Sequence, residues 1–289
     1  MQEKRPTMIK TLTFLLCCLC TLSLTAQNGL PFNAGGRGAA LGNASSTFSD
    51  VNSIWSNQAG LAWLDQWAVG LYAEQRFLLA GVNGLSFGAA LPFRGIGAFG
   101  LSVQHFGFSD YNEQKIGLSY ARKLFPHTSI GIQFDYLSTR IPDYGQAHNF
   151  TAELGILSEI SKEWRIAAHV YNPFAVALPN GDRLPTQFKV GLGYQPNKKV
   201  SLLGELEKDL QFPLRGKLGL EYRLVDAFAL RLGFSSKPSL STFGFGLYLK
   251  QFCLDFAASY HPVLGFTPSI GLVYQHQKGQ APKPDNDNE

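Results

Sequence analysis

The chain has 289 residues, with 25 Lys and Arg against 21 Asp and Glu and a formal net charge of +4. That balance, without any run of Lys or Arg, excludes a nucleic-acid footprint, and a mean hydropathy of −0.03 excludes a bundle of membrane helices. The 30 Gly, 22 Phe and 11 Tyr favour a β-barrel over a helical fold.

At the N-terminus Lys4, Arg5 and Lys10 precede an apolar stretch, Thr11 to Leu24, that is too short to span a bilayer comfortably and ends at Leu24-Thr25-Ala26. Basic, apolar and small residues in that order predict a cleaved secretory signal over 1–26. Cys17, Cys18 and Cys20 lack the small preceding residue that lipidation needs, and they leave with the signal. Cys253 then remains alone, unable to form an internal disulfide or a four-ligand zinc site.

Residues 27–65 do not alternate. Ala34 to Gly42 is small and flexible in composition, and Asp50 to Asp65 reads as a short capped helix carrying Ile54, Trp55, Leu61, Trp63 and Leu64. This segment is expected to fold back as a plug.

From 66 to 277 the chain alternates with a period of two, the mark of strands with unlike faces. Leu218, Leu220, Tyr222 and Leu224 interleave with Lys217, Gly219, Glu221 and Arg223. Fourteen strands are predicted, at 67–77, 84–92, 95–106, 111–122, 127–139, 147–160, 163–171, 184–195, 198–208, 213–224, 227–235, 239–250, 252–260 and 265–277. Connections after even strands are tight, and those at 78–83, 140–146 and 172–183 are longer, as between periplasmic turns and external loops. The prediction is all-β: a 14-stranded antiparallel transmembrane barrel with a short N-terminal plug, in the outer membrane of a Gram-negative cell. Residues 278–289 read as a disordered tail. A soluble sandwich or water-filled barrel is the alternative, with the apolar face turned inward.

Outward positions include Val69, Leu71, Phe87, Leu118, Phe134, Val190, Leu192, Phe234 and Ile270, with Tyr120, Tyr194, Tyr222, Tyr260 and Tyr274 forming a girdle. Inward positions carry Glu74, Arg76, Asp135, Glu153, Arg165, Lys189, Glu205, Glu221, Arg223, Arg231 and Asp255, whose signs nearly balance and so predict ion pairs rather than a one-sign filter. Gly70, Gly88, Gly117, Gly131, Gly155, Gly191, Gly219, Gly233, Gly244, Gly246 and Gly271 also face inward. Glycine inside a strand suggests close approach by another group, here the plug; easing of barrel curvature is the alternative. Leu220→Arg is expected to cost more than Gly219→Ser, provided the plug does not touch Gly219.

Gly36-x-Gly38-x-x-x-Gly42 has the wrong spacing for a dinucleotide fingerprint. His105, His127, His148, His169, His261 and His276 are not paired at metal spacing and read as solvated or interfacial. No G-x-S-x-G motif is present. The chain is therefore expected to be no enzyme, with no catalytic residue, metal or cofactor.

Gly35-Gly-Arg-Gly-Ala-Ala-Leu-Gly-Asn-Ala-Ser45 followed by Ser53-Ile-Trp-Ser-Asn-Gln-Ala-Gly-Leu-Ala62 resembles the start of FadL-like outer-membrane proteins, in particular the PorV/PorQ branch of Bacteroidetes. Gly36, Arg37 and Gly38 lie in the small-residue stretch. Asn57, Ala59, Gly60 and Leu61 match the Asn-Pro-Ala-Gly-Leu hatch motif, with Gln58 in place of Pro. The resemblance implies a fourteen-stranded barrel with an N-terminal hatch. It implies either an accessory of type IX protein secretion, with secretion-system proteins or exported cargo as partners, or a channel for hydrophobic compounds. The short chain and small loops favour the first. Beyond these partners, only outer-membrane lipid is expected, and no nucleic acid.

Overall fold

The computed structural model describes residues 35–142, 145–176 and 183–276. The predicted signal, residues 27–34 and the tail lie outside the described residues.

Fourteen strands close into one antiparallel barrel, each bonded to its sequence neighbours. They are β1 (Ala68–Gln75), β2 (Asn83–Phe93), β3 (Gly97–Phe108), β4 (Tyr111–Phe125), β5 (Thr128–Ile141), β6 (Gly145–Glu159) and β7 (Trp164–Tyr171), followed by β8 (Gln187–Tyr194), β9 (Val200–Asp209), β10 (Arg215–Val225), β11 (Phe228–Ser236), β12 (Ser239–Leu249), β13 (Phe252–His261) and β14 (Gly265–Gln275). β1 closes on β14 from Ala68↔Gln275 to Glu74↔Ser269, so the sheet has no free edge there. The start of β1 and the end of β14 share one rim, called here the terminal rim.

The register is inside-out for a water-soluble protein. In β10 the side of Lys217 is buried at 2% exposure while neighbouring Leu218 is 62% exposed. Leu71, Leu91, Leu118, Phe134, Leu206 and Leu232 are likewise exposed, and Asp135, Glu153, Glu205, Arg231 and Asp255 are buried. A wall with this much exposed apolar surface needs an apolar solvent, which excludes the soluble alternative. Aromatic pairs crowd the terminal rim: Trp67–Tyr274 at 5.1 Å, Phe99–Tyr120 at 5.1 Å and Trp164–Tyr194 stacked at 4.3 Å. Tyr260 sits at the opposite rim, 4.8 Å from Phe266. Among the described residues no helix is long and apolar enough to cross a membrane; the strands cross it.

Wall height varies. β4 to β6 are the tallest strands, and β7 and β8 are short. After β7, Asn172 is buried, accepts from Thr151 Oγ1 at 2.9 Å and donates to the Leu184 carbonyl at 3.0 Å. The connection expected over 140–146 is shorter than that, because strand pairing continues to Ile141↔Gly145.

Inside the barrel lies the N-terminal segment. Ala34 to Gly42 was expected to be a flexible turn, but Gly36–Ala40 forms a short α-helix, α1. Its first position admits only glycine, since a Cβ on Gly36 would lie 2.7 Å from Asp255 Cβ and 3.1 Å from the Gly271 nitrogen. Asp50 to Asp65 is not one helix but two 3₁₀ turns, Val51–Trp55 and Gln58–Trp63. The break follows from Asn57, whose side chain caps the second turn and also bonds the Ser46 and Ile156 carbonyls.

In the lipid-facing wall, Leu220→Arg is expected to cost about 2–4 kcal/mol, measured by denaturant titration in lipid vesicles. Gly219→Ser is not the benign control that the pattern suggested. Its Cβ would lie 2.9 Å from both the Cβ and the carbonyl oxygen of Leu41, so overpacking of about 1–3 kcal/mol is expected there too.

Candidate functional site in the barrel lumen

The N-terminal segment runs around the inner wall, and the inward glycines mark its path. A Cβ on Gly70 would meet the Trp55 ring at 2.7 Å, one on Gly88 Ile54 at 2.8 Å, and one on Gly131 the Ala59 nitrogen at 2.3 Å. Gly155 faces Asn57, Gly191 Ser46, Gly219 Leu41, Gly233 Gly42, Gly244 Ala40 and Gly271 Gly36. Two inward glycines serve other neighbours: Gly117 leaves room for Gln133 and Ser102, and Gly246 for the Arg231 guanidinium. The missing side chain lets segment backbone approach at Gly131, Gly219, Gly233 and Gly271, and makes room for side chains such as Trp55 and Asn57 at Gly70, Gly88 and Gly155.

The segment has two unlike sides. Val51, Ile54, Trp55, Leu61 and Leu64 form an apolar cluster with Ala68, Ala90, Ala98 and Ala121 of β1 to β4. Ala59 packs with Leu157 and Ala167, and Trp63 Nε1 donates to Ser129 Oγ at 2.9 Å. Gly60 is tight, since its Cβ would sit 2.1 Å from the Phe48 carbonyl oxygen, whereas Gly38 has ordinary contacts with Ser45. The other side is polar. Arg37 donates from Nε and Nη2 to both oxygens of Glu221 at 3.0 Å each and from Nη1 to Asp50 at 2.6 Å. Burial alone would lower the Arg37 pKa, but Glu221 and Asp50 more than offset it and hold the guanidinium charged. The Ser45 and Ser46 amides donate to Glu205 Oε2 at 3.1 and 2.9 Å.

The lumen charges assemble into buried networks. Arg231 donates to Glu221 at 2.7 Å, to Asp255 at 2.5 Å and to Tyr248 Oη at 3.0 Å. Lys217 bridges Glu205 and Glu207 at 2.7 Å each, while Lys189 lies 3.9 Å and Arg215 3.0 Å from Glu207. Lys115 pairs with Glu153 and, at 3.4 Å, with Asp135. Glu74 is bound by Tyr72 Oη and Arg76 Nε at 2.7 Å each near the opposite rim. Arg165 pairs with Glu159 at 2.8 Å, and Arg223 lies over the Tyr248 ring at 4.4 Å, both near the terminal rim.

Two residues were missed by sequence reasoning. His169 was read as solvated or interfacial, but it is buried in the lumen 2.9 Å from Glu153 Oε2. Its parity with Arg165 in the same strand would have placed it inward. Gln58, in the position of the motif proline, donates to Glu153 Oε2 at 2.9 Å and so ties the segment to the same network. Nothing local to Gln58 signals that partner. Among the described residues no group of His, Cys, Asp and Glu is arranged to hold a metal ion. Free Cys253 lies 3.4 Å from Asp255.

Asn57→Ala should cost about 1–3 kcal/mol, because its buried amide bridges the segment and the wall. Limited proteolysis should then cut within 45–60 sooner than in the parent.

The fold and the lumen define a fourteen-stranded membrane β-barrel whose interior is filled by its own N-terminal segment. Solved structures share the barrel fold. The toluene transporter TbuX of Ralstonia pickettii aligns with a TM-score of 0.64 at 14% identity, covering 87% of this chain and 99% of that one. The CymD monoaromatic hydrocarbon channel aligns at 0.67 and 12% identity, covering 87% and 100%, and a Pseudomonas aeruginosa FadL homologue at 0.60 and 12%, covering 86% and 98%. The chain therefore has the FadL-type barrel fold. The sequence matches no family model and no curated protein.

Proposed function

We propose that the protein is a gated outer-membrane barrel for passive entry of small hydrophobic compounds, exported through a cleaved signal and seated with its terminal rim toward the periplasm. The observation that carries this reading is the fourteen-stranded barrel fold, shared over almost their full length with proteins described as toluene transporters and a monoaromatic hydrocarbon channel. We take the state described here to be closed, since residues 35–66 occupy the lumen and Arg37 ties them to Glu221 of the wall. Passage therefore requires the segment to shift or the wall to part.

A second reading, a PorV/PorQ-like accessory of type IX secretion, is favoured by one observation. The inward positions of β5 to β10 are charged and paired, a costly lining for an apolar solute. In that case the barrel acts through its rims on secretion-system proteins or cargo.

The tests are direct. The mature chain should begin at Gln27 and fractionate with the outer membrane; an intact 1–26 or a soluble periplasmic product refutes the export reading. Single-channel recordings should find the parent closed and a variant lacking 27–65 leaky; equal, large conductance in both refutes the gate. A deletion strain that loses toluene uptake supports transport. One that keeps uptake but loses surface cargo supports secretion.

A further inference from the structure

The inward glycines are explained by the segment or by lumen side chains, but Gly204 is not. It lies in the middle of β9 and faces outward with Leu202 and Leu206, paired across to Leu218. A Cβ added there would meet only Leu218 Cδ2 at 3.9 Å, so nothing on the protein requires glycine at this position. Gly204 lies in the floor of a groove of about 560 Å³ in the outer wall, lined by Leu192, Leu202, Leu218, Leu232 and Phe234.

Toward the terminal rim the groove ends at the stacked pair Trp164–Tyr194. Beyond that pair lie two turns, 160–163 and 195–199, joined by the Gln195 amide donating to the Glu163 carbonyl at 2.8 Å. They carry exposed Lys162, Lys198 and Lys199, and one carboxylate, Glu163, which accepts from Ser161 at 2.8 Å. None of the three lysines has an ion-pair partner among the described residues. Lys198 and Lys199 border the cavity at the barrel mouth as well, so they stand on the lip between the mouth and the outer wall.

Apolar groove, aromatic pair and cationic turn follow one another in the order of acyl chain, ester region and phosphate. We propose that this face binds one anionic phospholipid, with an acyl chain over Gly204 and the phosphate on the lysine-bearing turns. The proposal requires only that the wall stands in a membrane, and it holds for either functional reading.

The experiment is native mass spectrometry of the full mature barrel released from nanodiscs of equal phosphatidylglycerol and phosphatidylethanolamine. The parent should retain one phosphatidylglycerol. Gly204→Leu puts a side chain into the middle of the groove, where its Cβ meets only Leu218 Cδ2 at 3.9 Å, and Lys198→Glu/Lys199→Glu reverses the charge of the turn. Each should lower retention about tenfold, a loss that a few unburied methylenes or two lost phosphate contacts supply. The turn variant changes exposed residues only, so it decides the matter even if Gly204→Leu folds poorly. Equal retention of the two lipids by the parent, retention of detergent alone, or unchanged retention in the turn variant overturns the proposal.

Discussion

Replacing Arg231 by methionine should destabilise the barrel by about 3–5 kcal/mol, the range for removing one partner of a buried ion pair. The Arg231 side chain is fully buried, so solvent does not screen its pairs. Its guanidinium binds Glu221, Asp255 and Tyr248 together. After substitution Glu221 keeps Arg37, but among the described residues Asp255 keeps only the weak Cys253 thiol contact at 3.4 Å. The cost should therefore come mainly from Asp255, and Arg231→Met with Asp255→Asn should recover much of it. Denaturant titrations of both variants in vesicles measure this. If the double variant is no more stable than the single one, the loss lies in packing of the arginine and not in the stranded carboxylate.

The barrel was legible because its signal is local. A strand needs only its own alternation to declare two faces, and closure then follows from an even count of strands and tight turns. The charges of β9 and β10 could be assigned inward from parity alone. Which charge meets which could not, because Arg37 and Glu221 are distant in sequence and meet only when the segment lies in the lumen. Composition also misled at Gly36–Ala40. Small residues suggest flexibility in isolation, but between β12 and β14 they are the ones that fit, and enclosure makes a helix of them. The hatch turn broke the other way: a helical pattern over 50–65 lost to Asn57, whose amide found carbonyl partners that no local pattern reveals. His169 is the instructive omission, since the face was assigned strand by strand and the rule was not applied to the histidine.

Gly233→Val should open the barrel while leaving its wall intact. A Cβ at Gly233 would lie 2.1 Å from the Gly42 nitrogen and 2.3 Å from the Leu41 carbonyl carbon, both backbone atoms that cannot rotate away. Gly42 is itself pinned, with φ at +65° and its amide donating to Thr242 Oγ1 at 2.9 Å. The neighbouring stretch is held by hydrogen bonds and ion pairs, whereas 51–64 is held by an apolar cluster on β1 to β4. The side chain should thus displace 36–50 and spare the anchored turns. Overpacking costs about 1–3 kcal/mol, enough to shift a docked segment but too little to unfold a closed sheet. Expected results are a folded barrel, new protease cleavage between 36 and 50, and conductance between that of the closed parent and that of the variant lacking 27–65. Gly204→Leu, which adds bulk on the other face of the wall where space is open, should stay closed. A Gly233→Val barrel that folds and remains as closed as the parent would mean that the ion-paired lumen blocks passage without the segment. The gate would then have to lie in the networks around Lys217 and Arg231.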